Sequence, residues 1–235
     1  MHTFLKGNPT VNAIAASVLM LAVLSVSYFA FEPIVAYGIS DSFTVEQQIT
    51  SEISWRTLAA DVTMTPALAG LTGGSSYGTT TFAINTNNPT GYNVTLAFAT
   101  NTAAMQGENI GSDIPNYDPN AGAGNADYAW AISANEAAFG YSVIANTNAA
   151  DADLTFRNNG AACGAGSNSS AGRCWYNKAN SSTSPETIIN RSSATVSTGA
   201  TTTLVFQVGI AANPSPAIQT GFYTATATLT AVTNP

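Results

Sequence analysis

The strongest pattern along the chain is alternation of apolar and polar positions. From Phe43 to Trp55, one side of an extended strand would carry Phe43, Val45, Gln47, Ile49, Ser51, Ile53 and Trp55. The other would carry Thr44, Glu46, Gln48, Thr50, Glu52 and Ser54. A period of two predicts a half-buried β-strand. At roughly 3.3 Å per residue the run would extend about 43 Å, far beyond the usual five or six residues, so it either bends near Gln47 and Ser51 or reaches beyond its own domain. Asp61–Thr65 predicts a short strand stopped by Pro66. The same period returns at Thr80, Phe82 and Ile84, and at Tyr92, Val94, Leu96 and Phe98, with Asn85–Gly91 between them predicting a hairpin. Shorter alternating segments follow at Tyr128–Ile132, Phe139–Val143, Leu154–Phe156 and Leu204–Ile210. In the closing run Tyr223, Ala225, Ala227, Leu229 and Ala231 alternate with Thr224, Thr226, Thr228 and Thr230. About nine or ten short strands separated by Gly, Pro and Asn predict an all-β fold, an antiparallel β-sandwich of jelly-roll type.

One segment breaks the pattern. Ala13 to Phe31 is an uncharged apolar run preceded by His2 and Lys6 and closed by Glu32 and Pro33, the charge order and helix-breaking exit of a secretory signal. Ala36-Tyr37-Gly38 offers a cleavage site that would start the mature chain at Ile39. The run also approaches the roughly 20 residues that span a bilayer, so retention as a membrane anchor is the other outcome. Residues 1–38 are therefore expected to form a signal peptide or uncleaved anchor, and residues 39–235 one β-sandwich domain. The domain is expected outside the cell, secreted or at the cell surface, with anchoring through the N-terminal helix as the alternative.

Composition narrows the function classes. The net charge is −7, only 8% of residues are charged and 45% are apolar, so the surface is covered by Thr, Ser, Asn and Gly. Arg56, Arg157, Arg173, Lys178 and Arg191 are scattered and form no basic patch for a nucleic-acid backbone. The single histidine, His2, precedes the apolar run, so the domain has no imidazole for a nucleophile's base or a zinc site, and no enzyme is expected. Cys163 and Cys174 enclose a short Gly/Ser/Asn loop in an exported chain and are expected to pair as a disulfide.

Binding chemistry is suggested in three places. Asn101–Ala126 reads as a long surface loop, in and just after which Asp113, Asp118 and Asp127, with neighbouring asparagines, offer the hard oxygen ligands that Ca²⁺ takes; the same residue types also form turns. Tyr128, Trp130, Tyr141, Trp175 and Tyr176 would suit a sugar-stacking platform or a core. Phe222–Thr233 lacks charge and proline, which natural edge strands normally use against unwanted pairing.

The sequences at Phe43–Ser54, Asp61–Met64, Thr86–Tyr92, Cys174–Trp175 and Gly221–Thr228 resemble those of uncharacterised secreted proteins of ultra-small bacteria with reduced genomes. The closing Gly-x-Tyr-Thr-x-Thr run is also similar to the last strand of WxL-type surface domains and of spore-coat and fimbrial subunits, although no Trp-x-Leu signature is present. The resemblance implies a surface or fibre β-domain and transfers no site residues. Two functions are expected from this reading. One is a structural subunit that self-associates into a homopolymer by pairing strands carrying Phe43, Val45, Ile49, Ile53, Trp55, Tyr223, Ala225, Ala227 and Leu229. The other is an adhesin or carbohydrate-binding module for a surface glycan or protein.

Overall fold

A computed structural model describes residues 9–30, 40–100, 102–109, 111–119, 125–176 and 184–235. The chain divides into two units, Met1–Gln48 and Ile49–Pro235.

In the first unit, helix α1 spans Pro9–Ala30. Pro9 suits the first helical position, where its fixed φ fits and no N–H is needed. The window Pro9–Tyr28 has a mean hydropathy of 2.0, long and apolar enough to cross a membrane or to serve as an export signal. Ser17, Ser25 and Ser27 do not interrupt this character, because their hydroxyls donate at 2.9 Å to the helix's own carbonyls at Ala13, Ala22 and Leu24. Residues 40–48 have no regular secondary structure.

The second unit contains nine strands among the described residues: β1 (Ile53–Thr57), β2 (Gly74–Thr86), β3 (Tyr92–Phe98), β4 (Met105–Gly107), β5 (Ala137–Ala145), β6 (Glu186–Arg191), β7 (Ala200–Ile210), β8 (Tyr223–Ala225) and β9 (Ala227–Thr233). They pair antiparallel in the orders β1-β2-β7-β5, β6-β3-β9 and β4-β8. Side chains from both larger sheets join one core: Phe82 and Ile84, Val94, Leu96 and Phe98, Phe139, Tyr141 and Val143, Ile188 and Ile189, and Leu204, Phe206 and Val208. Phe98 of one sheet meets Phe139 of the other edge-on at 5.6 Å between centroids. The alternation expected on β2, β3, β5 and β7 is what supplies these inward faces.

Five local expectations change. The apparent hairpin between β2 and β3 is instead a crossing between sheets, since β2 pairs with β1 and β7 while β3 pairs with β6 and β9. Period two is satisfied either way because both strands turn apolar side chains to the same core. What fixes the crossing is Asn88, buried in the loop, whose amide donates to Gly91 O at 2.9 Å and Asn234 O at 2.7 Å. Gly91 has φ +81°, and a Cβ there would lie 2.0 Å from Arg191 O. Of the long Phe43–Trp55 strand, only Ile53–Trp55 lies in β1, and β1 continues to Thr57. Tyr128–Ile132 is not a strand; it is the side chains that alternate, folding over the outer face of β5 and β7. Leu154–Phe156 is a 3₁₀ turn capped by Asp153, whose carboxylate accepts from Thr155 N at 2.9 Å. Asp61–Thr65 contributes only a bridge from Thr65 to Tyr77.

Candidate functional site

Strand edges decide where a β-protein can add a partner. The outer edge of β5 is occupied: Tyr117 N donates to Phe139 O, Phe139 N to Pro115 O, and Tyr141 and Tyr176 exchange hydrogen bonds. The outer edge of β6 receives Asp153 N at Ile188 O. Among the described residues, the outer edges of β1 and β9 have no backbone partner, and the two strands approach within 8 Å at their Cα atoms.

The β9 ladder sets which groups face outward. Ala99 N donates to Thr226 O and Asn234 N to Gly91 O, each at 3.0–3.1 Å. Antiparallel alternation between these points commits the peptide groups of Thr228, Thr230 and Val232 to β3 and turns those of Ala227, Leu229, Ala231 and Thr233 toward the open side. Leu229 and Ala231 point at the core but are only half-buried, as are Ile53 and Trp55 on β1. Phe43, Val45 and Ile49 lie in chain without regular structure and are 84%, 81% and 82% exposed. The expected assembly residues thus fall into two sets. Ile53, Trp55, Tyr223, Ala225, Ala227 and Leu229 stand on strands, whereas Phe43, Val45 and Ile49 are unpaired.

A polar latch, not foreseen from the sequence, holds the end of β9. Asn234 Oδ1 accepts from Asn93 Nδ2 at 2.7 Å, and its Nδ2 donates to Thr90 O at 2.8 Å and Arg191 O at 2.9 Å. Its backbone carbonyl accepts from Asn88 and Thr90. Beside it, Arg191 pairs with Asp151 at 2.5 Å and donates to the carbonyls of Ser193 and Ala194, so each of its three guanidinium nitrogens has a partner. Tyr92 lies in the same region with its phenol buried, and burial pushes its pKa up to about 12.

The other expected sites resolve individually. Cys163 and Cys174 are disulfide-bonded, with Cα atoms 5.6 Å apart. Asp113 accepts from Gly107 N at 3.3 Å, Asp127 accepts from the Tyr117 hydroxyl at 2.7 Å, and Asp118 is exposed. Among the described residues, no three His, Cys, Asp or Glu side chains gather as a metal site. Asn116, in the same loop, binds Ala104 N and Thr102 O, as turn-forming asparagines do. The remaining loop residues 101, 110 and 120–124 lie outside the described residues.

The aromatics form a cap rather than a platform. Trp130 stacks on Tyr117 at 4.2 Å and meets Trp175 edge-on at 5.3 Å. A Cβ at Gly140 would lie 2.9 Å from the Trp130 ring and one at Gly209 would lie 2.8 Å from its Nε1, so both strands need glycine beneath the indole. Trp175, Tyr141 and Tyr176 are buried, and Tyr128 carries the Arg173 guanidinium 4.6 Å above its ring. Burial raises the Tyr117 pKa, with the Asp127 hydrogen bond adding to it; burial raises that of Tyr141 as well.

Compared with protein-family models, with characterised proteins and with solved structures, the chain matches none.

Proposed function

We propose that this chain is a non-enzymatic extracellular structural subunit that self-associates by β-strand pairing, the Phe43–Ile49 segment of one copy adding to the open edge of β9 in the next. The finer architecture we infer is a β-sandwich of jelly-roll type whose open side lies between β1 and β9. The observation that carries the reading is the pairing of opposites. An unpaired segment exposes Phe43, Val45 and Ile49 at strand spacing, and a strand edge offers the peptide groups of Ala227, Leu229, Ala231 and Thr233 beside half-buried apolar side chains. Strand addition satisfies both, with backbone hydrogen bonds for affinity and alternate side chains for register. The apolar α1 and the disulfide are compatible with export, and the resemblance of the closing strand to fimbrial and surface domains points the same way.

The test is assembly of the purified chain, followed by light scattering and negative-stain microscopy. Wild type is expected to form filaments or ordered oligomers, and the double substitution Val45→Asp, Ile49→Asp to remain monomeric with unchanged melting temperature. A wild-type chain that stays monomeric at high concentration refutes the proposal.

A further inference from the structure

The β4–β8 ribbon has two faces of different character. Met105, Tyr223 and Ala225 turn toward the core. On the opposite face Gln106 stands across from Thr224, and Glu108 N donates to Phe222 O at 3.0 Å, so that Gln106, Glu108, Phe222, Thr224 and Thr226 share one side. This side lines a cleft of about 400 Å³, within the size range of small-molecule sites.

Its chemistry is specific. Phe222 is 81% exposed, and it stands in register with Thr224, Thr226, Thr228 and Thr230, where an aromatic ring gains nothing from the core. Among the described residues, the side chains of Gln106, Glu108, Thr224 and Thr226 make no hydrogen bond. Together they supply one amide, one carboxylate and two hydroxyls. Glu108 passes closely over Gly221: the glycine has φ +150°, and a Cβ there would lie 2.6 Å from Glu108 Oε1. The ribbon's end is cross-linked, because the Tyr223 hydroxyl donates to Gln219 O at 2.8 Å and meets the Ser112 hydroxyl. The backbone that carries the polar groups is therefore cross-linked at this end.

We infer that this cleft binds a neutral saccharide, the sugar's C–H face lying on the Phe222 ring while Glu108 accepts from a pair of adjacent sugar hydroxyls and Gln106, Thr224 and Thr226 complete the contacts. A carboxylate can accept two hydrogen bonds side by side, as a vicinal diol offers. Among the described residues, Glu108 is the one charged group lining the cleft, so anionic ligands are repelled. A small organic cation would use the ring and the carboxylate but leave the amide and both hydroxyls unmet. The inference stands independently of strand exchange, since neither Phe43–Ile49 nor β9 takes part in it.

The experiment uses the full chain in a detergent without a sugar headgroup. Neutral trisaccharides of glucose, mannose, galactose or N-acetylglucosamine are titrated by calorimetry and saturation-transfer NMR, with choline as the cationic probe. At least one trisaccharide is expected to bind in the millimolar range. Phe222→Ala and Glu108→Gln are each expected to weaken it about tenfold, the loss of one stacking contact or one charged acceptor. Gly221→Ala should weaken it by displacing Glu108, whereas Val196→Ser, at another exposed apolar position, should not. No trisaccharide binding, equal affinity in the Phe222 and Glu108 variants, equal loss in Val196→Ser, or binding of choline alone would each overturn the inference. Phe222 and Glu108 are exposed, so an unchanged melting temperature shows that the variants fold.

Discussion

Asn234 offers the sharpest test of how β9 is held. Its side chain makes three hydrogen bonds, to Asn93, Thr90 and Arg191, at 2.7–2.9 Å. An intramolecular hydrogen bond contributes about 0.5–1.5 kcal/mol net, and a partner left unsatisfied in a partly buried site costs more. Asn93 is one such partner, because its Oδ1 is buried without a hydrogen bond and its Nδ2 depends on Asn234. Asn234→Ala should therefore destabilise the domain by about 2–4 kcal/mol, a large share of the roughly 5–15 kcal/mol that holds a typical domain together. The assay is urea unfolding at a concentration where the chain is monomeric, combined with hydrogen exchange read by mass spectrometry. Exchange should rise first in β9, then in β3 opposite it. A double-mutant cycle with Asn93→Ala should return a coupling of about 1 kcal/mol, since the two amides bond each other directly. A loss under about 0.5 kcal/mol, or exchange that rises evenly across the domain, would show that β9 is held by its β3 ladder alone and that the latch is incidental.

Two further outcomes follow from buried groups. Tyr92 and Tyr176 keep their phenol protons to about pH 12 in the folded chain because burial disfavours the phenolate, whereas an unfolded tyrosine ionises near 10.0. The stabilisation is therefore complete below pH 10 and is lost as pH rises toward 12, by of order 2 kcal/mol for each ring. Denaturant titrations at pH 8, 10 and 11.5 should show the decline beginning above 10, and Tyr92→Phe should reduce it; a flat profile would contradict the burial argument. Reduction of Cys163–Cys174, which are separated by 11 positions, should lower stability by about 2–3 kcal/mol on the chain-entropy model, with the native circular-dichroism spectrum retained. Complete unfolding on reduction would mean that the loop does more than staple the surface.

What could be read from the sequence was what depends on neighbours. Phe82, Ile84, Val94, Leu96 and Phe98 announced their inward faces because side-chain direction alternates within a strand whatever the strand pairs with. The apolar helix and the cysteine pair were legible for the same reason, one from a continuous run and the other from loop spacing and compartment. What escaped depends on residues far apart. Whether β2 turns back on β3 or crosses to another sheet is decided by Asn88 reaching Asn234, more than a hundred positions away, and no local pattern encodes that choice. Trp130 appeared to continue a strand because a side chain lying flat over Gly140 and Gly209 repeats at the same interval as one pointing into a core. The cleft beside the β4–β8 ribbon had one visible sign: Phe222 occupies the polar register of a strand otherwise lined by threonine on that side.

The exposed Phe43–Ile49 segment and the open β9 edge are different surfaces, so a joint made from them has a giver and a taker. Such a contact is heterologous: reciprocal exchange closes a swapped pair, whereas one-way repetition builds a polymer. A polymer built from it would be polar. One end would terminate in an unfilled edge and the other in an uncovered apolar tail, which is the end that aggregates and the end a capping protein would have to recognise.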